Sequence, residues 1–305
     1  MSFSVILIQM IVLFSIVVAG FVSGRFGLMD KDFSRKLSGL IINLTCPCLI
    51  LSSTMGDTLP DRSLILPLLG ISTLTYVLLL VAAKWIPRIL PIAITDRGIY
   101  SFMIAFGNVG FIGYPVVASM FGHEAIFYAS VLNVPNTLCV FIWGAQFVAG
   151  DGQGGFKWKR LYSPALIATY LSILIVACEW QTPEFIAQPL TLIGGITVPG
   201  ALLIIGNSIN YIPLHRMVGS KPIYVMAALR LFILPLGILY LFRLLEVNPL
   251  VANINTMIIA MPVASFGTMF CLRFGKDDTL MTQGTFITTL LSLGSIPLLA
   301  AFIVG

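Results

Sequence analysis

The stretch GNVGFIGYP, from Gly107 to Pro115, puts three glycines and a proline into nine residues of an otherwise apolar run. Proline has no N–H to donate, and its ring clashes with the carbonyl one turn back. Glycine tolerates backbone geometry outside the helix. A helix carrying this stretch is therefore predicted to break. In hydrocarbon a broken backbone is expensive unless it lines a cavity inside the protein. The N–H groups opening the second half-helix, predicted near Gly113 to Val116 and so beside Pro115, would then form an anion site backed by the helix dipole. Asn108 adds a neutral donor and acceptor to that site. The competing reading of the segment is a proline kink used for packing alone.

Composition places this run in a bilayer. The chain has 305 residues, of which 58% are hydrophobic and 10% charged, with a mean hydropathy of +1.01. A soluble domain carries about 25% charged residues, because it must cover its outside with polar groups. The apolar runs are continuous rather than alternating, which selects helices over a closed barrel. Turn and charge punctuation gives ten predicted spans, at 3–24, 33–55, 63–86, 97–121, 124–149, 161–180, 186–210, 222–243, 249–272 and 279–303. The first run lacks a basic leader and a small-residue cleavage site, so it reads as a span rather than a removed signal. All five cysteines fall in apolar runs, which argues against a disulfide framework.

Charge distribution supports that count. Fourteen of the seventeen Lys and Arg residues fall in the loops after odd-numbered spans; only Arg62 and Arg243 fall on the other side, and Arg230 lies within a span. Lys and Arg collect on the cytoplasmic side of membranes, so both termini are predicted outside. The formal charge of +5 is then a matter of orientation, and no nucleic acid partner is expected. The Gly-rich segment 151–160 reads as a linker between a five-span repeat, 1–150, and a second one, 161–305. An odd number of spans per repeat would set two homologous halves upside down to one another. Thr45 and Pro47 in span two are matched by Thr197 and Pro199 in span seven, and Pro115 in span four by Pro262 in span nine. Corresponding Gly/Pro-interrupted spans in two halves are the sequence mark of a transporter site.

Span nine carries MPVASFG, Met261 to Gly267, with the proline at Pro262. If spans four and nine are broken and cross, their half-helix N-termini face one small volume. Arg230 lies nine residues after Lys221, about 13 Å into the membrane. A charge at that depth costs roughly 2.5–3.5 kcal/mol on insertion scales and usually serves function. Two readings stay open: attraction of an anion into the cavity, or a guanidinium satisfied at the interface or by helix-end carbonyls. Every Asp, Glu and His lies in a loop or at a span end, so neither a buried-carboxylate proton relay nor a metal, cofactor or catalytic cluster is expected. Asn133, Asn136 and Thr137, around Pro135 in span five, form a second polar cluster, readable as part of the site or as interhelical hydrogen bonds. Gly20 and Gly24 form a GxxxG motif that could serve a homodimer face.

FGNVGFIGYPVVASMFG, at 106–122, resembles the fourth-span signature of the auxin efflux carrier family, and AMPVASFGTMFCLRFG and KLSGLIINLTCPCLIL resemble its ninth and second spans. KRLYSP at the start of span six and SLGSIPLL near the end also fit, and the short linker is similar to that of compact, bacterial-type members rather than plant PIN-FORMED carriers. The resemblance implies an all-α integral membrane fold with an inverted five-plus-five repeat in the inner (plasma) membrane. It implies a scaffold of spans one, two, six and seven, through which members often dimerise, and a moving domain of the remaining spans. It further implies a substrate site where spans four and nine cross, at Asn108, Gly113, Pro115 and Pro262, with Asn136 beside it. Family substrates are weak organic acids, auxin-like or dicarboxylate. Span three here offers no acidic residue of the kind plant carriers place there, so their ligand does not carry over.

The resulting expectation is a secondary transporter of small organic carboxylates working by an elevator mechanism, with Arg230 as a possible further contact. The alternatives are a sodium-coupled symporter of bile-acid-carrier type and an anion-binding membrane receptor that moves nothing.

Overall fold

The structure, a computed structural model, describes residues 3–55, 59–150, 162–211, 219–264 and 266–304. The predicted linker at 151–160 lies outside these residues. Among the described residues the regular structure is helical, with no strand. The helices are α1 (Phe3–Arg25), α2 (31–52), α3 (Arg62–Ile89), α4 (Arg97–Ala105), α5 (Val109–Phe121) and α6 (Ala125–Ala149). They continue as α7 (Pro164–Ala177), α8 (Glu184–Tyr211), α9 (Lys221–Leu244), α10 (Pro249–Ile259), α11 (Phe266–Arg273) and α12 (Thr279–Val304). Five of them, α3, α6, α8, α9 and α12, are continuous helices long and apolar enough to cross a membrane. Large apolar side chains face outward, including Leu66 at 78% and Leu192 at 70% exposure.

The helices pack as two groups. In the first, α1 lies along α8 and α2 lies against α7 and α8. Small residues set the closeness of these seams. A side chain on Gly206 would come within 1.9 Å of the Val17 carbonyl, and one on Gly20 within 2.2 Å of that of Leu203. Gly24 meets Asn207 on the same helix, α8. The two glycines of the GxxxG motif thus both face α8 of the same chain: Gly20 lets the backbones approach, and Gly24 leaves room for the Asn207 and Asn210 side chains. At the centre of this group the Thr197 hydroxyl donates to that of Thr45 at 2.9 Å, joining the two Thr-x-Pro segments matched in the sequence.

The second group contains α3 to α6 and α9 to α12. The Ser101 hydroxyl of α4 donates to Ala83 O of α3 at 2.7 Å, and the Asn255 amide of α10 donates to Thr75 of α3 at 3.0 Å. Four helices contain a widened π turn, at Ile41–Thr45, Val109–Gly113, Val140–Gly144 and Leu229–Ile233. Three of these end two residues before a proline: Pro47, Pro115 and Pro235. A pyrrolidine ring crowds the carbonyl one α-turn back, and the wider turn relieves that clash without breaking the helix.

Substitution should therefore be punished where the helices touch and tolerated where they do not. Gly206→Leu is expected to cost about 1–3 kcal/mol or more through overpacking, while Gly237→Ala, where an added Cβ meets nothing within 4 Å, should stay within about 0.5 kcal/mol of the parent. Thermal unfolding in detergent measures both.

Candidate functional site

Predicted spans four and nine are both interrupted, and the interruptions cross. Between α4 and α5 the chain is extended at 106–108; between α10 and α11 it is extended around 262–264. There Gly107 and Val263 pair as an isolated antiparallel bridge. The Asn108 N–H donates to Pro262 O at 2.8 Å, and the Ala264 N–H to Phe106 O at 3.1 Å. The Thr288 hydroxyl of α12 accepts from the Val263 N–H at 3.1 Å. Pro262 suits this place because it brings no N–H to satisfy.

The break lies earlier than predicted. Helix resumes at Val109, not near Gly113 to Val116, because the π turn at Val109–Gly113 accommodates Pro115. Gly113 and Pro115 are consequently buried inside α5. Asn108 is the N-cap, its side chain accepting from the Phe111 N–H at 3.3 Å.

Arg230, 1% exposed, reaches the crossing from α9. Its Nε donates to Met261 O at 3.1 Å and its Nη1 to Ile104 O at 2.7 Å. The Ile104 carbonyl lies in the last turn of α4 and that of Met261 two residues past the end of α10, where no intrahelical donor follows. Each such end carries roughly half a negative charge, so two of them offset one guanidinium. Two of its three nitrogens are thus held by carbonyls, while Nη2 is buried with no hydrogen-bond partner among the described residues. Gly107 is required by this arrangement: a side chain there would stand 2.1 Å from Arg230 Nη2.

Beside the crossing lies a cavity of about 150 Å³. It sits between the groups, walled by α2 (Ile41, Cys46), by Asn108 to Phe111, by α6 and by the start of α7 at Ser163. Among the described residues lining it none is charged. Asn108 and Asn136 line it; Gly113, Pro115, Pro262 and Arg230 are not among its described lining residues. The first turn of α5 and the start of α11 at Phe266 contribute to the wall. The starts of α5 and α11 thus border the cavity, while Arg230 meets carbonyls at the ends of α4 and α10.

The polar wall is a chain of three side chains. The Asn136 amide donates to Asn133 Oδ1 at 2.7 Å, and the Asn133 amide to Tyr114 Oη at 3.3 Å. Asn136 Oδ1 is buried with no partner among the described residues. The chain can also run in reverse, since a phenol donates or accepts and an amide exchanges its oxygen and nitrogen by a half-turn. Reversed, Tyr114 donates to Asn133, Asn133 donates to Asn136, and the Asn136 NH₂ is offered to a guest. Tyr114, Cys46 and Ser163 were not singled out in the sequence. Tyr114 lies inside the quoted GNVGFIGYP, but a tyrosine in an apolar run gives no sign of where its hydroxyl points.

This geometry agrees with what related proteins indicate. The chain belongs to the auxin efflux carrier family of transporters, whose profile, described as "Membrane transport protein", matches residues 5–157 and 153–300. It is 27% identical over 298 residues to an uncharacterized transporter of Methanothermobacter thermautotrophicus, an alignment that spans 93% of each chain. It is 24% identical over 288 residues to one of Methanocaldococcus jannaschii, across 91% of this chain and 92% of that relative. The protein is thus an integral membrane transport protein.

Gly107→Ala is expected to destabilise the protein about as much as Arg230→Gln, since each dislodges the guanidinium from the two carbonyls. The double variant should fall well short of the sum, with a coupling of roughly 0.5–3 kcal/mol. Gly110→Ala, with no atom within 4 Å of the added Cβ, is the control. Thermal unfolding of the four proteins measures the cycle.

Proposed function

We propose that this chain is a secondary transporter that carries a small organic monoanion, held against the crossing of the two interrupted helices. The observation that carries this reading is that the starts of two half-helices border one cavity. Two half-helix N-termini line the cavity, each worth roughly half a positive charge, and together they balance one carboxylate. A second carboxylate would meet neutral amides and hydroxyls only, so a monoanion is favoured over a dicarboxylate. The volume, about 150 Å³, is that of a cavity known to hold benzene in another protein. Ile41 and Phe111 in its wall suit an apolar body of about that size. Asn108 and Asn136 would orient the carboxylate, with the amide chain running in its reversed sense.

The same reading takes each predicted segment as a membrane span, with the halves 1–150 and 161–305 inverted relative to one another. The contact between Thr45 and Thr197 supports it, since equivalent positions of inverted halves meet on a pseudo-twofold axis. The Lys and Arg bias supports a plasma-membrane orientation with both termini outside. Alternating access would move α3–α6 with α9–α12 against α1, α2, α7 and α8. In support, part of the boundary between these groups is an apolar crevice of about 40 Å³, with Val17 and Leu202 on one side and Val116 and Ile296 on the other.

A thermal-shift series on purified protein, followed by flux of the best ligand into proteoliposomes, tests the proposal. Short monocarboxylates with apolar bodies are expected to stabilise the protein more than malonate does. Asn108→Ala and Asn136→Ala should each weaken binding about tenfold, or about 1.4 kcal/mol, with membrane insertion intact. Stabilisation by dianions alone, or unchanged transport in both variants, would overturn the assignment.

A further inference from the structure

A second and larger cavity, of about 860 Å³, lies between α3, the start of α4, the end of α6 and the connection from α11 to α12. Four cations line it: Lys84 and Arg88 from α3, Arg97 from α4, and Lys276 from the connection. No carboxylate is among its described lining residues, and the ion pairs of the described residues, Arg35–Asp32 and Arg62–Glu179, leave all four cations unpaired. Arg97 Nε is moreover buried without a hydrogen-bond partner. Arg88 is held in place by its donation to Lys84 O and by the Trp85 ring, 5.7 Å away. Four cations around one cavity make its field positive, which favours an anionic guest.

Apart from Thr95, Ser101 and Gln146, the side chains of the remaining lining are apolar, and on α3 they continue onto its exposed face. Val77 and Val81, on the cavity wall, are each 52% exposed, and Trp143 is 41% exposed. Trp85 and Ile89 continue the exposed apolar strip past the cations. A small soluble anion would use the charges and leave this wall uncovered. An amphiphile would use both, with its phosphate among the cations and its chains along Val77 and Val81. Tryptophans at the same level are the usual mark of the headgroup region, and basic pockets between helices on the Lys/Arg-rich side are where anionic headgroups bind.

We infer that this cavity is a binding site for an anionic phospholipid, separate from the cavity at the crossing. Because Lys84, Arg88 and Arg97 flank the turn from α3 into α4, the bound lipid ties together the two helices that lead into the interrupted segment.

The full chain in detergent, incubated in turn with phosphatidylglycerol, phosphatidylcholine and inorganic phosphate, provides the test by native mass spectrometry and thermal shift. Phosphatidylglycerol is expected to bind at least tenfold more tightly than phosphatidylcholine and to raise the Tm, with inorganic phosphate having no comparable effect. Lys84→Gln combined with Arg97→Gln should abolish that preference. If this variant does not fold, Lys84→Gln with Lys276→Gln, both at exposed positions, makes the same test. Equal binding of the two lipids would mean that only the chains are held. A phosphate effect matching that of phosphatidylglycerol would mean a soluble-anion site. Either result, or an undiminished preference in the variant that folds, overturns the lipid assignment.

Discussion

The structure depends on the neutralisation of two helix ends by one arginine. Where α4 and α10 stop, their last carbonyls point into a region with no water to receive them, and an unpaired carbonyl there costs several kcal/mol. Arg230 meets a carbonyl in the last turn of α4 and one just past the end of α10, and its own charge, equally out of place in hydrocarbon, is met by the two dipole ends. Neither partner is stable alone at that depth. Gly107 leaves room for the guanidinium, and the paired peptides of 106–108 and 262–264 satisfy most of what the interruption exposes.

With the negative ends so occupied, the positive ends are left for the cavity. On the proposed function, the cavity would attract an anion while holding no charged side chain among its described lining residues. The field of the proposed site would be modest and fixed by backbone geometry, since none of the described residues in its wall is charged. Selectivity then passes to shape and to the amide chain from Tyr114 through Asn133 to Asn136, which has to settle on one direction when a guest is present.

Much of this was legible in the sequence. Glycines and prolines at 107–115 and 261–267 announced two interruptions, because these residues alter the backbone whatever surrounds them. The matched Thr-x-Pro segments were legible as equivalent positions, but nothing in them said that Thr45 and Thr197 would touch. What depended on a distant partner was not legible. Arg230 could be placed at depth, but the carbonyls it serves lie on helices 126 and 31 residues away in sequence. Gly20 and Gly24 were read as small residues on a helix face, which they are, but composition does not say whether the surface they meet belongs to the same chain. The position of the α4–α5 break was misjudged because Pro115 was expected to end a helix, and a widened turn absorbs it instead.

That widened turn, Val109–Gly113, has one consequence beyond comfort for a proline. It holds one residue more than an α-helical turn would, and each residue advances a helix by about 100°. Tyr114 comes directly after it. Shortening this turn by a single residue would carry the phenol about a quarter of the way round the helix, away from Asn133. The hydrogen-bond chain would then end on an unanswered amide, with every side chain that lines the cavity still present in the sequence.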